Sequence, residues 1–271
     1  MATFFGEVLS VSSRAVDEDD EEDDFPITLC SPTIYWSNKV QAEIDKSEEK
    51  KLNCSSFIIA CGIEANAFSE IYIKESSYEK IGGIFASQVE EDPLAKPQSF
   101  KDKSCLIYQC SDRPSVLLCQ CSRDVLPEES FTWSKLLIDN INLNHAAITV
   151  LAAASTGSYC SQTPASQVET PFLRYLKTDQ LLDVPVCPVL EQPNMLTGLP
   201  AMLMTFFQVL QLQAVVYVCY KENRYMDITD VKSFAPVLKA TTLKSIAKPI
   251  KNMEKLKEIV EQHTVHDSMY M

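Results

Sequence analysis

Hydrophobic positions in this chain fall into short continuous runs separated by amphipathic stretches, and that alternation sets the predicted elements. Residues 56–60, Ser-Phe-Ile-Ile-Ala, form an unbroken apolar run ending at Cys61-Gly62, the pattern of a strand buried on both faces. Residues 66–74 carry Ala67, Phe68 and Ile71 at helical spacing. Residues 104–110 and 115–121 are two further strands, and the short polar Ser111-Asp112-Arg113-Pro114 between them predicts an antiparallel hairpin. An amphipathic helix is predicted over 127–139, opened by Pro127 and two acids, and a buried strand over 147–151. The region 155–170 has no apolar periodicity and reads as a loop.

Residues 171–178, with Phe172, Leu173 and Leu176, read as a short helix. Pro188 and Pro193 exclude a central strand over 187–194 and predict a rigid loop. Residues 201–212 form a helix opened by Pro200; it is apolar nearly all round, which favours a core position over an interface. A strand at 214–220 and helices at 229–239 and 252–262 follow, and 263–271 reads as a flexible polar tail. Earlier in the chain, 32–36 is an extended piece before a charged, helical stretch. The sum is an α/β fold: a mixed, mostly buried central sheet flanked by helices. Three parts are expected: an N-terminal segment, 1–30, with a small apolar knot (Phe4, Phe5, Val8, Leu9); one α/β domain, 31–262; and the tail, 263–271.

Charge modifies this picture locally. Net charge is −13, but residues 17–24 are an unbroken run of eight acids, and the other residues sum to −5. Such a run is expected to be a solvated, disordered linker. An acidic balance argues against nucleic acid as a partner. Residues 221–258 are locally basic, nine Lys and Arg against five Asp and Glu. Ten cysteines, several inside apolar runs, read as reduced small hydrophobes, and the absence of a basic, apolar leader predicts a cytoplasmic location. No apolar run reaches the ~20 residues a membrane helix needs.

Catalytic chemistry is not assembled by the sequence. Six glycines give no phosphate-binding fingerprint, no Gly-x-Ser-x-Gly elbow occurs, and the three histidines, His145, His263 and His266, have no companions at metal-ligand spacing. Cys119 and Cys121 share one face of a strand without a second pair to complete a zinc pattern. The chain is therefore expected not to be an enzyme and to need no cofactor or metal. One candidate binding element remains: Met269, Tyr270 and the last residue, Met271. An apolar side chain can fill a slot, a phenol adds aromatic area with a hydrogen bond, and a terminal carboxylate can pair with a lysine.

Several blocks spread along the chain resemble the proteasome assembly chaperone family. They are Phe4-Phe5-Gly6-Glu7-Val8; Pro114 to Ser122; Pro171-Phe172-Leu173 with Leu176-Lys177-Thr178; the run from Cys187 to Asn194; Leu199-Pro200-Ala201; and Met269-Tyr270-Met271. Residues 76–103 and 155–170 match poorly. The resemblance implies a non-enzymatic chaperone that forms a heterodimer with proteasome assembly chaperone 2 and binds the α-subunits of the 20S proteasome. It implies that the pair promotes α-ring formation and blocks wrong ring pairing, from the cytoplasm, with nuclear or endoplasmic-reticulum association as further locations. It also implies that Met269, Tyr270 and Met271 form a hydrophobic-Tyr-any motif docking between adjacent α subunits, Met271 offering its carboxylate to a lysine. Two alternatives stand beside it: a regulator of the mature 20S proteasome using the same tail, and a divergent α/β hydrolase or phosphorylase-like enzyme.

Overall fold

Eight strands hydrogen-bond into one sheet in a computed structural model that describes residues 32–74, 77–85, 104–121, 125–160, 169–222, 225–244, 246 and 253–268. The chain separates into two units, Met1–Cys30, which lies outside the described residues, and Ser31–Met271. In chain order the elements are β1 (Thr33–Trp36), α1 (Asn38–Lys46), β2 (Leu52–Asn53), β3 (Ser56–Cys61), α2 (Ile63–Tyr72), β4 (Tyr78–Phe85), β5 (Ser104–Cys110), β6 (Val116–Cys121), α3 (Pro127–Asn140), β7 (Ile141–Asn142), β8 (Ala147–Ser155), β9 (Phe172–Lys177), α4 (Gly198–Val209), β10 (Ala214–Lys221), α5 (Ile228–Ser233), α6 (Thr241–Lys244) and α7 (Met253–Ser268).

The strand order is β1-β4-β5-β6-β3-β8-β10-β9, with β2 and β7 pairing separately. Four central strands, β6, β3, β8 and β10, run parallel. Antiparallel strands close both sides: β5, β4 and β1 on one, β9 on the other. The sheet is mixed, as the 104–121 hairpin predicts. Side chains alternate between two apolar layers. Phe57, Ile59, Val216 and Val218 face α1, α3 and α4, while Ile58, Ala60, Val215 and Tyr217 face α2, α5, α6 and α7. Both faces of β3 and β10 are buried, which accounts for their unbroken hydrophobic sequences.

Two glycine positions shape the sheet and its exits. Gly62 has φ +91° at the turn from β3 into α2, where any side chain would be strained. At Gly82 an added Cβ would lie 2.4 Å from the Trp36 ring of β1, so the indole needs the bare backbone to lie across β4.

Four expectations require correction. Residues 171–178 are the strand β9, not a helix. One side of β9 pairs with β10 from Phe172 to Lys177, and on the other Tyr175 N–H donates to Pro188 O at 3.0 Å while Leu190 N–H donates to Tyr175 O at 2.8 Å. Those non-local bonds override an apolar spacing that fits a helix equally well. The predicted helix 229–239 is broken into α5 and a 3-10 turn, Ala235–Lys239, because Pro236 has no N–H to continue the ladder. The predicted helix 252–262 runs on to Ser268, through six residues read as polar tail; it meets no Gly or Pro, and each added residue gains a backbone bond. The fourth concerns α4, of which only Leu199, Leu203 and Phe207 are buried. The strand read as 147–151 extends to Ser155, and β4 lies where no element was assigned.

No helix among the described residues is long and apolar enough to cross a membrane.

Candidate functional site

The three residues of the candidate tail motif, Met269, Tyr270 and Met271, lie outside the described residues. The helix that precedes them is described. Leu256 and Val260 of α7 are buried in the layer shared with α2 and α5, with Met253 and Ile259 packed beside them. At the start of α7, Lys255 Nζ donates to Glu70 Oε1 of α2 at 3.0 Å, and Lys74 Nζ reaches the other oxygen of Glu70 at 2.9 Å. Burial disfavours the charge on Glu70, but the two ammonium groups outweigh it and hold the carboxyl below its usual range. Glu70 thus joins α7 to α2 near the point where the last helix begins.

A cavity of about 450 Å³ opens where the parallel strands β3, β8 and β10 end. This is the place where an open α/β sheet binds a ligand, and so the place to look for an enzyme. Its walls are mostly apolar: Ala152, Ala153, Ala154, Leu196, Leu199 and Val218. The acid in the lining, Glu64, is hydrogen-bonded to Lys221, with side chains 6 % and 11 % exposed. No histidine lines it among the described residues, so Ser158 has no base beside it there. Among the described residues the arrangement offers a paired charge and a small apolar hollow.

The cysteines behave as small core residues. Cys119 and Cys121 do share a face of β6, their sulfurs 3.8 Å apart, and Cys105 and Cys61 sit opposite Cys121 on the neighbouring strands. All four are buried, and burial pushes the Cys105 thiol well above its usual range. No group of three or more ligating side chains that could hold a metal ion occurs among the described residues.

The outer surface of α3 and α4 is the feature that sequence reasoning missed. Phe131 of α3 is 51 % exposed and Val209 of α4 is 73 % exposed, and the rings of Phe131 and Phe206 lie 5.4 Å apart between the two helices. Leu126, the N-cap of α3, and Leu210, the C-cap of α4, are also exposed. The signal was present in the sequence as a helix more apolar than one buried stripe requires.

Comparison with known proteins places these observations. The family described as "Proteasome assembly chaperone 4" matches residues 1–271. Relatives named Proteasome assembly chaperone 1 are similar over their whole length: the Xenopus laevis protein is 33% identical over 293 residues, covering 100% of both chains, and the Homo sapiens protein is 29% identical over 289 residues, covering 99% of both. Among solved structures, Pyrococcus furiosus PbaA, "an archaeal homolog of proteasome-assembly chaperone", superposes with a TM-score of 0.54 at 13% identity, over 88% of this chain and 98% of that one. Pyrococcus furiosus PbaB, "an archaeal proteasome activator", gives a TM-score of 0.53 at 11% identity, over 89% and 98%. At these identities the two structures speak for the fold alone.

Proposed function

The chain belongs to the proteasome assembly chaperone 1 family, and on that premise we propose that it acts in 20S proteasome assembly by binding α-subunits as a heterodimer with proteasome assembly chaperone 2. The family is a non-enzymatic one, and its role is in proteasome assembly. The observation that carries the proposal is the match over all of the chain and all of the relative, at 33% identity. In this reading the protein promotes α-ring formation and blocks off-pathway ring pairing.

Met269, Tyr270 and Met271 are the proposed contact to the ring. Met269 fills an apolar slot between adjacent α subunits, Tyr270 stacks and hydrogen-bonds, and the Met271 carboxylate pairs with a pocket lysine. A charge-assisted hydrogen bond contributes roughly 1.5–3 kcal/mol, and each partly buried side chain about 2 kcal/mol. Lost freedom on association offsets much of this, so one tail alone binds weakly. A second contact from the partner chaperone multiplies the affinity through effective concentration. Helix α7 continues to Ser268, so the proposed contact follows directly on the end of a helix. The basic stretch 221–258 is proposed to face acidic ring surface, which makes binding fall with added salt.

Deletion of Met269–Met271 tests the tail. α-Ring binding should weaken while the melting temperature and partner pairing stay as they are. Unchanged ring binding would remove the tail from the mechanism.

A further inference from the structure

Two helices of this fold begin at one hollow. α2 follows β3 on one face of the sheet and α4 precedes β10 on the other, so both start at the carboxyl ends of the parallel strands. The first turns of both, at Gly62 to Glu64 and at Gly198 to Leu199, line the cavity of about 450 Å³ there. Gly62 at φ +91° and Gly198 at φ +65° are the two positive-φ glycines among the described residues, and both border it. A Cβ on Gly198 would meet nothing within 4 Å, so this stretch of backbone lies open. Neither Gly62 nor Thr197 caps its helix with a side chain, which leaves the N–H groups of the two first turns without that partner.

Helix starts of this kind attract a negative group. Glu64 adds an independent and opposite requirement. It is buried, its Oε1 accepts from Lys221, and among the described residues its Oε2 has no hydrogen-bond partner. That oxygen sits beside Gly62 on the cavity wall, 3.8 Å from where a Cβ there would lie. A buried carboxylate oxygen with no donor is costly until something donates to it. Between the charged end and the helix starts the wall is apolar and made of small side chains, Ala152, Ala153, Ala154 and Val218.

We propose that this hollow binds a free amino acid with a branched aliphatic side chain. Its carboxylate lies on the first-turn N–H groups of α2 and α4, its ammonium donates to Glu64 Oε2, and its side chain covers the alanines of β8. The charges select this class. A plain anion would meet Glu64, and a plain cation would meet two helix N-termini; a zwitterion satisfies both. The volume is within the ~300–1,000 Å³ of small-molecule pockets and leaves room for water beside a ligand of this size. A bound ligand ties α2 to α4 across the end of the sheet, so occupancy stabilises the domain. The site is separate from the tail contact and does not depend on it.

Calorimetric titration and thermal melts of the purified full chain test this with three probes: L-leucine; leucinamide, which lacks the carboxylate; and isocaproate, which lacks the amine. L-Leucine should bind one per chain, and at a hundredfold excess over its Kd it should raise the melting temperature by about 5–10 °C. Leucinamide and isocaproate should each bind at least about tenfold more weakly, as loss of a charge-assisted hydrogen bond implies. Glu64→Gln should weaken L-leucine binding by a similar factor, and Ala154→Leu, which fills the hollow, should abolish it. Melts of the unliganded variants check that each folds, and Ala153→Val serves if either does not. Isocaproate binding as tightly as L-leucine would refute the role of Glu64, and leucinamide binding as tightly would refute that of the helix starts. Full binding to Ala154→Leu would refute the site itself. If none of the three probes shifts the melting curve at millimolar concentration, the proposal is overturned.

Discussion

Phe206 and Phe207 are adjacent in α4, but the account gives them opposite roles. Phe207 is fully buried among Leu199, Leu203 and the apolar strand residues beneath. Phe206 is half-buried and touches Phe131 on the outer side. Replacing Phe207 by Ala removes a core ring and leaves a cavity, which costs about 3–5 kcal/mol. For a domain of this size each 1 kcal/mol shifts the melting temperature by roughly 2–4 °C, so a fall of about 10 °C is expected. Replacing Phe206 by Ala removes a partly solvated ring and one aromatic pair, a loss of about 1 kcal/mol and a fall of about 3 °C. Thermal melts and urea titrations of the two variants measure the contrast. Equal stability losses at the two positions, or a Phe207→Ala loss of only about 1 kcal/mol, would refute the assignment of core and outer faces in α4.

Other expectations follow from local geometry. Gln211 ends α4 at φ +56°, with its N–H donating to Gln208 O at 3.1 Å and Leu212 N–H donating to Phe207 O at 2.8 Å. A left-handed C-terminal position of this kind favours glycine, so Gln211→Gly should raise the urea midpoint by the equivalent of about 0.5–1 kcal/mol. The lowered Glu70 carboxyl adds stability that is present above pH 4.5 and is lost as pH falls through its lower folded value. Glu70→Gln should therefore destabilise the protein at pH 7 and flatten the acid limb of the stability profile. Among the described cysteines Cys160 is exposed, while Cys105, Cys119 and Cys121 are buried. Alkylation of the native protein followed by mass spectrometry should label Cys160 well before those three, which should react only on unfolding.

How legible the fold was in the sequence depended on where each element's bonds lie. Strands β3, β5, β6, β8 and β10 are buried on both faces or nearly so, and each shows as a mostly apolar run. Strand β9 was misread because Phe172, Leu173 and Leu176 satisfy a helical spacing, and only its pairing with β10 and Pro188–Leu190 makes it a strand. Strand β4 gave little signal, since Gly82 and Gly83 interrupt its apolar run in order to pass beneath Trp36 and Leu106. The helix α7 outran its predicted end because polar residues continue a helix as long as no breaker intervenes.

Functional residues divide in the same way. The tail motif and the family blocks are contiguous in sequence, so they could be read directly. The ion pair of Glu64 and Lys221 joins residues 157 apart, and the Phe131–Phe206 contact joins two helices separated by three strands, β7, β8 and β9. Neither leaves a local pattern. The excess hydrophobicity of α4 was visible, but a helix apolar all round is most simply a buried one, and the exposure of Val209 and Leu210 shows only in the folded chain.

The central claim is that this protein works by binding the proteasome during assembly. Purification of the tagged full chain from its own cells, followed by sizing and identification of bound subunits, tests it most directly. The account predicts α-subunits and a related chaperone migrating with incomplete rings, and loss of the α-subunits when Met269–Met271 are removed. Recovery with finished 20S particles alone, or with no proteasome subunit, would contradict it.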